Sequence, residues 1–94
     1  MDDPLTQLRS AMDVCNRRLV DVLHERARLA RAIGAWKQQH GLAAVDPGRE
    51  RAMRAALLAL PAAGGFAADQ LAAILDVVFA ASRQLVEPPA KGRP

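Results

Sequence analysis

The sequence predicts an all-α protein of three helices, one long, one short and one of medium length, and three observations carry that expectation. Apolar residues recur at alternating intervals of three and four over the first forty positions, which is helical and not strand periodicity. Alanine supplies twenty of the 94 residues, and only 3% are aromatic, so the β-favouring residue types are thin. Glycine and proline cluster at two internal points and near the end, where they punctuate the periodic segments.

The first helix is expected over residues 5 to 39. Its seam reads Leu5, Leu8, Met12, Cys15, Leu19, Val22, Arg26, Leu29, Ile33 and Trp36, close to the core stripe of a coiled coil. At 1.5 Å per residue it makes a rod about 50 Å long. A compact domain of this length has a radius of gyration of about 13 Å, so the rod overhangs its own chain and calls for a second subunit. His40-Gly41 ends it, glycine suiting the left-handed residue after a helix. Asp46-Pro47 opens the second helix, aspartate as cap and proline at the first turn. That helix is expected to reach about Leu60, with Met53, Leu57 and Leu60 inward, before the break at Pro61 to Gly65. The third helix is expected from about Ala67 to Glu87, with Leu71, Ile74, Leu75, Val78, Phe79 and Leu85 inward. Pro88-Pro89 stops it, leaving one helical domain over 1–87 and a disordered tail over 88–94.

A chain this short leaves a marginal core unless stapled or oligomeric. One cysteine excludes an internal disulfide, and Cys15 on the seam reads as a packed thiol. No apolar run reaches the ~20 residues of a membrane span, and the first residues lack the basic and apolar stretches of a secretory leader. A cytoplasmic protein with no membrane partner is expected. The net charge is +3, yet eleven of thirteen basic residues are arginine, the side chain suited to planar oxyanions. A GC-rich coding sequence also raises arginine and alanine. Because the basic residues of the first helix alternate with acids, no nucleic-acid stripe is formed.

The informative positions interrupt apolar stripes. Arg26 lies in the seam between Val22 and Leu29, where a bare charge is costly, so it either reaches the rim, pairs with a carboxylate or holds a ligand. Lys37, about three turns on, shares nearly the same face. Two long cations there can converge on one anion, or Lys37 is a solvated residue near the helix C-terminus. Arg9 lies about 25 Å before Arg26 along the rod, so only a partner chain could bring an Arg9 close. Arg49 and Glu50 open the second helix, where an acid is favoured in any case. Ser82 falls on an inward face, where a mid-helix serine ordinarily bonds its own preceding carbonyl. Gly34 inside a helix signals a close backbone approach. His24 and His40 have no ligand-spaced companions, so no metal site is expected, and no nucleophilic triad or phosphate loop occurs.

Taken in order, LRSAMDVCNRRLVDVLHERARLARAIGAWK, VDPGRERAM and ASRQL resemble the all-helical AroQ class of chorismate mutases from about Leu8 to Leu85. The shared pattern is LR-x3-D, then ER with A, G and K at fixed intervals, then D-x2-RE and a Ser-Arg pair. The resemblance implies an intertwined homodimer with paired long first helices, in which Arg9 reaches the other subunit's site. It implies that Arg26 and Arg9 hold the carboxylates of chorismate and that Lys37 contacts a carboxylate and the ether oxygen. Glu50 with the Asp46 region would bind the C4 hydroxyl, and Arg49 and Ser82 would complete the polar lining. The reaction implied is the Claisen rearrangement to prephenate in aromatic amino-acid biosynthesis, without cofactor. One position departs: where the family usually has Gln or Glu four residues after the serine, this chain has Val86. Losing one preorganised donor is worth roughly 2–4 kcal/mol, or about 10²–10³ in rate. The departure leaves open a slow mutase or one dependent on a partner such as a shikimate-pathway synthase. It also leaves an isochorismate-pyruvate lyase or 4-amino-4-deoxychorismate mutase, or a non-catalytic regulatory or binding subunit. The charges kept in apolar stripes argue against the last of these, and a chorismate mutase is the expected activity.

Overall fold

A computed structural model describes residues 3–61 and 64–87. Three helices run in the order α1 (Pro4–Gln39), α2 (Pro47–Leu58) and α3 (Ala68–Val86), with no strand among the described residues. The expected tail over 88–94 lies outside the described residues.

The helix ends follow from local chemistry. Asp3 caps α1, its carboxylate accepting from the Thr6 amide at 2.7 Å. That bond holds the Asp3 carboxyl below the usual carboxylate range. At the other end the Leu42 amide donates to the Lys37 carbonyl at 2.9 Å and the Gly41 amide to Gln38 at 3.3 Å. With Gly41 at φ +70°, this is the doubly bonded left-handed helix stop. Asp46 caps α2 by accepting from the Arg49 amide at 3.1 Å. The Gln70 side chain accepts from the Ala67 amide at 3.0 Å and closes the start of α3.

Two expected boundaries shift. α2 stops at Leu58, with Leu60 beyond it and 62% exposed, because Pro61 disfavours helical backbone at the residue before it. Leu57 is exposed, while Leu58 is half-buried. α3 stops at Val86, and Glu87 is extended at φ −70°, ψ 135° for the same reason, Pro88 following it. Ile74 and Leu85, expected inward, are both exposed. At about 100° per residue they occupy one shoulder of the stripe formed by Leu71, Leu75, Val78, Ser82 and Val86.

The core is slight. Phe79 is the one buried residue among those described. α3 packs against both α1 and α2, whereas α1 and α2 do not approach each other. The Arg54 guanidinium grips Asp76 with Nε–Oδ1 at 2.8 Å and Nη2–Oδ2 at 3.3 Å, fastening α2 to α3. Every described residue before Arg26 is exposed, including seam members Leu8, Met12 and Leu19 at 67%, 59% and 55%. Cys15, expected to be packed, is exposed as well. The chain measures 59 × 30 × 24 Å with a radius of gyration of 17.6 Å, so α1 overhangs the rest.

Gly34 marks where α3 crosses α1. A Cβ built there would lie 2.8 Å from Val86 Cγ1 and 3.2 Å from its Cβ. Valine is stiff about χ1 and cannot swing aside. Gly34→Ala would gain about 1 kcal/mol of helix propensity against about 1–3 kcal/mol of overpacking. The expected outcome is a net loss in thermal unfolding, smaller when measured in a Val86→Ala background, where the 2.8 Å Cγ1 contact is gone. Stabilisation by Gly34→Ala alone would contradict this packing.

Candidate functional site

The separation of α1 from α2 leaves a cleft of about 420 Å³, with α3 as its floor. From α1 come Arg26, Leu29, Ala30, Ile33, Gly34 and Lys37, one face at intervals of three and four. The connector supplies Ala44, Val45 and Asp46, and the first turns of α2 supply Arg49, Glu50 and Met53. α3 contributes Phe79, Ser82, Arg83 and Val86. Apolar walls with a few convergent charges are the usual make-up of a small-molecule site.

The seam charge Arg26 is resolved by this arrangement. Its guanidinium donates from Nη1 to the Ser82 hydroxyl, a half-buried contact between residues 56 apart in sequence. The guanidinium carbon also stands 5.1 Å from the centroid of the Phe79 ring, within cation–π range. Ser82 in turn donates to the Val78 carbonyl at 3.0 Å. Its one proton is thereby committed to its own helix, and its lone pairs face Arg26. Ser82 thus makes the bond to its preceding carbonyl and positions the cation too.

Glu50 receives the Arg83 guanidinium, Nη1 to Oε1. The Asp46 carboxylate keeps its α2 cap while lining the cleft. The Lys37 ammonium and the Arg49 guanidinium form no ion pair among the described residues, so both are available to an incoming anion.

Seven of the residues singled out in the sequence, Arg26, Lys37, Asp46, Arg49, Glu50, Ser82 and Val86, therefore border one cleft. Arg9 does not; it is exposed on α1, about 25 Å along the rod from Arg26. Two further lining side chains, one aromatic and one charged, carry no role in the sequence reading. Phe79 is expected inward there without a task, and Arg83 enters only as half of the Ser-Arg pair. Arg83 lies four residues after Phe79, one helical turn along the same face, and that interval is the available signal. His40 caps α1, its ring stacked on Trp36 at 3.8 Å and 15°. Among the described residues no group of three His, Cys, Asp or Glu side chains could hold a metal ion. No helix among them is long and apolar enough to cross a membrane.

An all-helical protein whose cleft joins apolar walls to convergent cations and two carboxylates has the make-up of a small-molecule site. The model of chorismate mutase type II matches residues 8–87, and the chain belongs to that family of isomerases. Form II of chorismate mutase from Thermus thermophilus superposes with a TM-score of 0.84 at 32% identity, covering 95% of this chain and 100% of that one. Form I from the same organism gives 0.80 at 34% identity, covering 85% and 99%. No curated protein sequence matches the chain.

Arg26→Ala is expected to lower kcat/KM for chorismate by at least about 10²-fold with an unchanged gel-filtration profile. Loss of folding in place of loss of activity would make Arg26 a structural ion.

Proposed function

We propose that the cleft binds chorismate and converts it to prephenate by holding its reactive conformer and stabilising the charge that develops as the ether bond breaks. The observation that carries this reading is the convergence of Arg26 and Lys37, eleven residues apart on α1, on one cleft with the carboxylate of Glu50 opposite. The rearrangement breaks one carbon–oxygen bond as it forms one carbon–carbon bond, and no proton or electron leaves the molecule. Such chemistry asks for placement and fixed charge.

In the proposed assignment Arg26 receives one substrate carboxylate, steadied by Ser82 and Phe79. Lys37 reaches a carboxylate and the ether oxygen. Glu50, with Asp46 beside it, accepts from the C4 hydroxyl, and Arg49 lies along the rim near the ring carboxylate. The remaining cation is Arg9 of the partner subunit, delivered by antiparallel pairing of α1. The bare seam of α1 supports that homodimer, since apolar surface of such extent on a small chain marks an interface. A role in aromatic amino-acid biosynthesis and a cytoplasmic location rest on family membership. A shikimate-pathway synthase as partner rests on Val86, which offers the ether oxygen no donor.

The same valine favours a second reading, in which the pocket is tuned to isochorismate or 4-amino-4-deoxychorismate. The test is the loss of chorismate absorbance with products separated by chromatography. Prephenate is expected. No turnover on chorismate together with turnover on either sibling substrate would replace the first reading with the second. Val86→Gln restores a donor at the ether-facing position and is expected to raise kcat on chorismate, by up to about 10²-fold. An unchanged or lower kcat would show that Val86 does not face the ether oxygen.

A further inference from the structure

The Glu50–Arg83 pair stands in a wall shared by two cavities. On one side is the substrate cleft. On the other is an outer recess of about 390 Å³, lined by Pro47, Arg51, Arg54 and Asp76 together with residues of the wall. Asp76 could compete for Arg83, but Arg54 takes both of its oxygens. Glu50 is thus the carboxylate left for Arg83, and the two side chains are 22% and 38% exposed.

A free carboxylate in this cleft presents an electrostatic problem. If the substrate carries two carboxylates, an unneutralised Glu50 repels it, and in a half-buried site that repulsion is poorly screened. The cleft lining holds four cations and two carboxylates. Counted on this chain alone its net charge is two positives, the match of a dianion, and without Arg83 it falls to one. We propose that Arg83 is a positioning residue for the mutase reaction. Its guanidinium fixes and neutralises the Glu50 carboxylate, so that Glu50 can accept from a substrate hydroxyl without repelling the substrate's own carboxylates. This rests on the reading of Glu50 given above. The contact is made by one nitrogen on one oxygen, so a lysine can replace the charge even though it lacks the planar fork.

The test is kcat/KM for chorismate in Arg83→Gln, Arg83→Lys, Glu50→Gln and the Glu50→Gln/Arg83→Gln pair, with folding checked by circular dichroism. Arg83→Gln is expected to lower kcat/KM by about 10- to 10²-fold, and Arg83→Lys to recover most of that loss. In the Glu50→Gln background the same Arg83→Gln change is expected to matter by less than about 2-fold, because the charge it serves is gone. An equal loss in both backgrounds would overturn the proposal and place Arg83 on the substrate itself. A wild-type kcat/KM with a lower melting temperature would overturn it in favour of a structural pair. Wild-type kcat/KM in Glu50→Gln alone would instead remove Glu50 from the site and the proposal with it. Arg83→Met, which keeps the apolar stem, supplies the same comparison should Arg83→Gln fail to fold.

Discussion

The cleft depends on one constraint: α1 and α2 meet only through α3. The connector between Gln39 and Pro47 is too short to wander, yet it carries a helix stop and a helix cap that turn the chain away from α1. α3 then bridges the gap. Against α1 it sits at the glycine of Gly34, where backbone and Val86 come within contact distance. Against α2 it is held by the two-point grip of Arg54 on Asp76. Surface ion pairs contribute little on average, but this one fixes a register, since sliding α2 by a residue would break both bonds.

Within that frame, four of the six charges in the cleft are held by something that is not the substrate. Arg26 leans on an aromatic face and a serine oxygen; Glu50 leans on Arg83; Asp46 is tied to an amide of α2. Side chains already held in place need little reorganisation when a ligand arrives, and that is the physical content of preorganisation. Lys37 and Arg49 are the exceptions. Their freedom leaves two cations whose geometry the ligand itself can complete.

How much of this was legible in the sequence varies by feature. α1 was legible almost to the residue, because its three-and-four spacing is long and Gly41 marks its end, while the Asp3 cap at its start went unread. The end of α2 was not, because periodicity alone carries the helix through Leu60 while Pro61 acts backward on the residue before it. The close approach at Gly34 was legible, but its partner was not: Val86 lies 52 positions away, and no local pattern pairs them. Arg26 announced itself by breaking an apolar seam. Arg83 broke nothing, since it follows a polar serine near a helix end, where an arginine is ordinary. Arg9 marks the limit of reasoning on one chain, because its proposed place lies on another.

Val86 ties packing to chemistry. The position four residues after Ser82 borders the cleft and also fills the notch over Gly34. A branched, stiff side chain suits the second task and contributes no hydrogen bond to the first. Under the proposed assignment, Lys37 is then the sole donor on this protomer that faces the breaking ether bond. An ammonium near the end of α1 is exposed to solvent on one side, so its effect on developing charge grows as water is excluded.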